Sequence, residues 1–102
     1  MERLGDLIPD VARRLGLEDE LRLARAITTW SALVAERVPA ASGACRLIRV
    51  DGFALVIEAD APIVAQELRL RMPELLDAFA TAPGGQRATE LRLRVRREGP
   101  AV

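Results

Sequence analysis

Histidine, tyrosine and lysine are absent from this 102-residue sequence, which holds a single cysteine, a single tryptophan and two phenylalanines. Without histidine and tyrosine the usual general base, the commonest zinc ligand and the phenolic acid are missing, so His-based triads and zinc sites are excluded. Carboxylate pairs remain possible, and Glu58 with Asp60 is one candidate, but two acids near a strand end read as a solvated rim. The lone Cys45 has no partner for an internal disulfide, belongs to no Cys-based metal set, and reads as a small buried strand residue. Gly84-Gly85 lacks the Lys-Ser/Thr of a phosphate loop and precedes a strand, which makes it a turn. No catalytic residue, metal or cofactor is expected, and the chain does not read as an enzyme.

Long apolar runs are also missing. Nothing approaches the ~20 apolar residues of a membrane span, and Met1-Glu2-Arg3 does not open a signal peptide; a cytoplasmic protein with no membrane contact is expected. One-sided charge is lacking too. Fifteen arginines face fifteen acidic residues, so no global field attracts nucleic acid, and any electrostatic role must come from local patterning.

What is present is half apolar and 29% charged, the balance of a globular chain that folds without disulfides. The length suits one domain with one core, taken as 1–102, without internal repeats. Leu4, Leu7, Ile8, Val11 and Leu15 recur at helical spacing and predict a first helix, firm over 7–15. Asp6 is its expected N-cap, Pro9 falls in its first turn and Gly16 is its C-terminal cap. A second helix starts at the acidic cluster Glu18 to Glu20 and runs to about Arg37. Its inward stripe is Leu23, Ile27, Trp30, Val34 and Val38, with Arg22, Arg25, Thr29 and Glu36 opposite.

Cys45–Val50 and Phe53–Ala59 flank Asp51-Gly52, a strong hairpin signal. In the second strand Phe53, Leu55, Ile57 and Ala59 share one face. A third helix follows with Asp60 as N-cap, Pro62 in its first turn and Val64, Leu68, Met72, Leu75, Leu76 and Phe79 buried; Pro73 predicts a bend or a break. Thr89–Arg97 alternates as a last strand, with Leu91, Leu93 and Val95 inward. The expected fold is α+β in the order ααββαβ: a small three-stranded sheet, mixed or antiparallel, with helices packed on one face. The last strand can pair antiparallel with the first or parallel with the second, and the alternation does not decide between them.

Two binding patterns stand out. Arg92, Arg94 and Arg96, extended by Arg97 and joined across the sheet by Arg46 or Arg49, form a basic row suited to phosphates; the same arrangement serves to keep an open sheet face soluble and an edge from aggregating. No aromatic side chain interleaves with it to stack bases. Trp30 reads as core or as a partly exposed anchor, and Ile63 and Leu70 fall beside Gln66 on the outer face of the third helix, a candidate partner surface.

In combination these residues resemble the DciA-like bacterial loaders of the replicative helicase, formerly a domain of unknown function. The resemblance covers nearly the whole chain. It rests on Leu15-Gly16-Leu17, on Trp30 followed by Leu33-Val34-Ala35-Glu36, on Ala41-Ser42, on the Asp51-Gly52 hairpin with Leu55-Val56-Ile57, on Ala65-Gln66-Glu67-Leu68 followed by Pro73-Glu74-Leu75-Leu76, and on Leu91-Arg92-Leu93-Arg94-Val95. The family usually has Gly at Ala35 and an aromatic at Val64. The resemblance implies a KH-like module, a part in initiating replication, and contact with the DnaB-type helicase and with DNA, single-stranded or branched; it raises Trp30 and the terminal arginines as candidates. Two other readings are a KH-like RNA-binding or ribosome-associated factor, which lacks the Gly-x-x-Gly clamp here, and a pure protein-interaction domain or homodimer. No small-molecule substrate is expected.

Overall fold

The computed structural model of the protein describes residues 4–96, with side chains from residue 11 onward. Helix α1 spans Leu4–Arg37, and Pro39, which has no N–H to give, begins a short 3-10 turn over Pro39–Ala41. Strands β1 (Cys45–Asp51) and β2 (Ala54–Ala59), helices α2 (Pro62–Leu70) and α3 (Met72–Thr81), and strand β3 (Glu90–Val95) complete the chain. The fold is α+β with a three-stranded mixed sheet, in the order α-β-β-α-α-β, consistent with a small KH-like domain.

The N-terminal pair of helices expected from the sequence is one helix. Gly16 does not cap it. A glycine inside a helix costs about 1 kcal/mol against alanine, which the good helix formers on either side and the Asp19–Arg22 pair one turn apart can offset. At about 50 Å, α1 is far longer than the ~20 Å strands it packs on, and every residue from 11 to 22 is exposed. The side chains of Leu4, Leu7 and Ile8, and Asp6 as a cap, lie outside the described side chains. Lower down, Ala26, Trp30, Leu33, Val34 and Val38 are buried, whereas Ile27, expected inward, is exposed.

The central strand is β2. It pairs antiparallel with β1 and parallel with β3, which settles where the last strand goes. Leu55 and Ile57 point into a core shared with Trp30, Leu47, Leu68, Leu75, Phe79 and Leu91. The hairpin turn is Gly52-Phe53, one residue later than the sequence indicates, with Gly52 at φ 65° in the first turn position. Phe53 is therefore out of the strand and exposed, and does not share the inward face of Leu55.

The expected third helix is two helices. Arg71, at φ −102° and ψ 11°, separates them, and Pro73 falls in the first turn of α3, where its ring and missing N–H are tolerated. Ala61, not Asp60, occupies the N-cap of α2; the Asp60 carboxylate is engaged by Arg46 instead. After α3 the chain turns at Pro83-Gly84-Gly85, where the Thr29 hydroxyl donates to the Pro83 carbonyl at 2.6 Å and ties the loop to α1. Thr29 thus faces the loop and is not on a solvent side of α1.

Candidate functional site

Leu47, Leu55, Ile57 and Leu91 turn one face of the sheet into the core shared with the helices, and the charged residues of the strands fall on the other face. Its rows follow from the register. Asp51, Ala54 and Glu90 form one row, Arg49, Val56 and Arg92 the next, and Arg46, Glu58 and Arg94 the third. Arg46 and Arg49 are three apart, an odd spacing that would put them on opposite faces of a regular strand. A bulge between Leu47 and Arg49 shifts the pairing by one residue, so that both arginines join this face while Leu47 turns into the core. Ala54 and Val56, between the charged residues of this face, are only 2% and 4% exposed.

Two of these arginines are fully engaged. Arg46 donates to Glu58 at 2.8 Å and to Asp60 at 2.7 Å. Arg92 donates to Glu90 at 3.1 Å and to Asp51 at 3.2 Å. The bonds to Asp60 and then Glu58 push the Arg46 pKa up, and Glu90 does the same for Arg92. Glu58 and Asp60 are accordingly partners of Arg46 rather than a catalytic pair. Arg49, Arg94 and Arg96 form no ion pair among the described residues. Arg97 lies outside the described residues. The basic row expected from the sequence is therefore divided, two of its six arginines being held by four carboxylates whose partnership is legible only once the bulge and the parallel pairing are known.

Trp30 is 1% exposed and packs edge to face on Phe79. An exposed anchor at this position is ruled out in this conformation, because the ring fills the space between α1, α3 and the sheet. Its indole N–H has no hydrogen-bond partner among the described residues. Burial pushes the half-buried Cys45 thiol up, opposed in part by the Trp30 N–H even without hydrogen-bond geometry between them.

The second expected surface is where the wheel put it. Ile63 and Leu70 on α2 are 75% and 68% exposed with exposed Gln66 between them, while Ala65 and Leu68 on the other side of the helix are buried. Among the described residues no group of His, Cys, Asp and Glu could hold a metal ion, and no helix is long and apolar enough to cross a membrane.

The family described as Dna[CI] antecedent, DciA, matches residues 3–93, which takes in α1, the hairpin, both later helices and most of β3. The chain belongs to the DciA family. That makes it a member of a family of replicative-helicase loaders that act in replication initiation, and not of an enzyme family. No curated protein matches the sequence. Within this DciA-family domain the matched segment contains Trp30, Ile63, Leu70, Arg46, Arg49 and Arg92, and stops just before Arg94.

Proposed function

We propose that this domain binds the DnaB-type replicative helicase through the outer face of α2 and binds single-stranded or branched DNA weakly through Arg49, Arg94 and Arg96, assisting helicase loading in the cytoplasm without turnover. The carrying observation is the pair Ile63 and Leu70: two large aliphatic side chains, seven residues and thus two turns apart, on one helix face that no other element covers among the described residues. Because both are exposed, replacing them leaves the core intact. A partner interface typically centres on such apolar anchors within a polar rim, and Gln66 and Arg69 supply polar neighbours here.

The DNA part rests on Arg49, Arg94 and Arg96, which have no carboxylate partner among the described residues. They offer few phosphate contacts, which fits weak binding. Against an RNA-clamping reading stands the α2–α3 junction, where Arg71 alone connects the helices in place of a glycine-rich loop.

The test is retention of the organism's own replicative helicase by this chain, beside Ile63→Glu/Leu70→Glu and Arg94→Glu/Arg96→Glu forms of confirmed helicity. Loss of helicase in the first variant alone supports the α2 face. Equal retention by all three removes it, and failure of the unaltered chain to retain helicase at micromolar concentration rejects the reading.

A further inference from the structure

Helix α1 carries a stripe that the fold does not use. Leu17, Leu21, Ala24, Thr28, Ser31 and Ala35 succeed one another at intervals of four, three, four, three and four residues, and all six are exposed. This is the 3.5-residue period of a helix–helix seam. It is centred roughly 140° around the helix from Trp30, on the side turned away from the sheet.

Four of the six, Leu17, Leu21, Ala24 and Thr28, are self-complementary about a point midway between Arg22 and Leu23, while Ser31 falls opposite Arg14. An antiparallel copy turned about that point sets Leu21 against Ala24 and Leu17 against Thr28, each twice, so that a large side chain always meets a small one. The same operation sets Glu18 level with Ile27, so that Arg25, two residues or about 3 Å along the axis from it, is the opposite charge within side-chain reach on that flank of the seam, again twice. Neither Glu18 nor Arg25 joins an ion pair among the described residues of the single chain. An open groove of about 420 Å³, bordered by Ala24, Arg25, Thr28 and the Pro83-Gly84 loop, runs beside the stripe where a leucine of the second helix would enter.

We infer that α1 pairs antiparallel with α1 of a second copy of this chain, about a two-fold axis between Arg22 and Leu23. The apposed surface is isologous, as a closed dimer requires. Val11 and Leu15 do not belong to this seam; they continue the core-facing stripe beyond the sheet. The pairing is independent of helicase binding, so a failed helicase pull-down leaves it standing.

Sedimentation equilibrium of the reduced, full chain over a range of concentrations tests it. Reversible dimerisation is expected, weakened at least ~100-fold in Leu21→Glu, which removes two apolar contacts and places two carboxylates in the seam. Glu18→Arg and Arg25→Glu alone should each weaken it roughly tenfold, since every flanking pair becomes repulsive. Together they restore the pairs with signs exchanged, and affinity should return to within about threefold of the original. Circular dichroism establishes that each variant keeps its helices. A chain that stays monomeric throughout, a dimer indifferent to Leu21→Glu, or a double exchange as weak as its singles overturns the inference.

Discussion

The Trp30 and Phe79 rings meet edge to face, with centroids 6.5 Å apart and planes inclined by 66°, and so fasten the C-terminal part of α1 to α3. Because both rings are buried, Trp30→Ala is expected to cost about 3–5 kcal/mol, a large part of what holds a domain of this size together. Trp30→Phe should cost less, since it keeps an aromatic ring and removes the unpaired indole N–H. Urea unfolding followed by circular dichroism measures both. Any loss of partner binding in Trp30→Ala then reports a loosened core, and equal stability of the alanine variant would contradict the packing described.

A second contact binds the same helix to the far end of α3. Gly84 sits at φ 84°, and a Cβ built there would lie 2.6 Å from the Thr29 hydroxyl oxygen and 3.3 Å from the Arg25 carbonyl. Gly84→Ala should therefore destabilise by about 1–3 kcal/mol, more than the ~1 kcal/mol expected for losing the Thr29 hydrogen bond in Thr29→Val. The ordering of the two urea midpoints checks the geometry of the loop.

Glu74 accepts hydrogen bonds from Arg37 at 3.1 Å and from Arg71 at 3.4 Å. Arg37 first, with Arg71 adding to it against desolvation, holds the carboxyl below the usual carboxylate range. A depressed folded-state pKa stabilises at pH values above the unfolded one, and that contribution disappears as pH falls through the folded one. Glu74→Gln should accordingly be less stable than the parent at neutral pH and indistinguishable from it in acid below the glutamate range. A difference that persists unchanged into acid would show that the charge of Glu74 is not what the two arginines recognise.

The arginines that form no ion pair among the described residues also set a slope. If Arg49, Arg94 and Arg96 alone meet phosphates, the logarithm of affinity for single-stranded DNA should fall with the logarithm of salt at about −2, against about −4 if six arginines take part. Arg94→Glu/Arg96→Glu should remove most of the binding, whereas Arg46→Ala should change stability more than affinity, because it strands Glu58 beside the sheet. Fluorescence titrations at several salt concentrations separate these outcomes.

Local patterns made much of this architecture legible. The Asp51-Gly52 signal located the hairpin to within one residue, Pro73 marked the division between α2 and α3, and the wheel placed Ile63 and Leu70 outside. Long-range geometry was not legible. Cys45 to Asp51 contains Arg46 and Arg49 at an odd spacing, and only a bulge, which depends on how β1 packs on β2 and α1, reconciles that with one polar face. The parallel partner of β3 was equally open, since Leu91 and Leu93 fit either edge. Gly16 was misleading for a different reason: a helix-ending glycine needs a stop beyond it, and the segment Leu17 to Arg25 continues the helix. The division of the arginines between paired and unpaired followed from those same missing registers.

The parallel pairing of β2 with β3 bears on how the chain survives its own synthesis. Until Glu90 to Val95 is available, β2 has β1 on one side and a bare row of backbone donors and acceptors on the other, flanked by Leu55, Val56 and Ile57. Such a row templates pairing with any extended chain nearby. A translation product ending in the loop after α3 would therefore be a sticky intermediate rather than a smaller version of the domain, and the last strand is the piece that covers the apolar edge of β2 and leaves a charged strand at the border in its place.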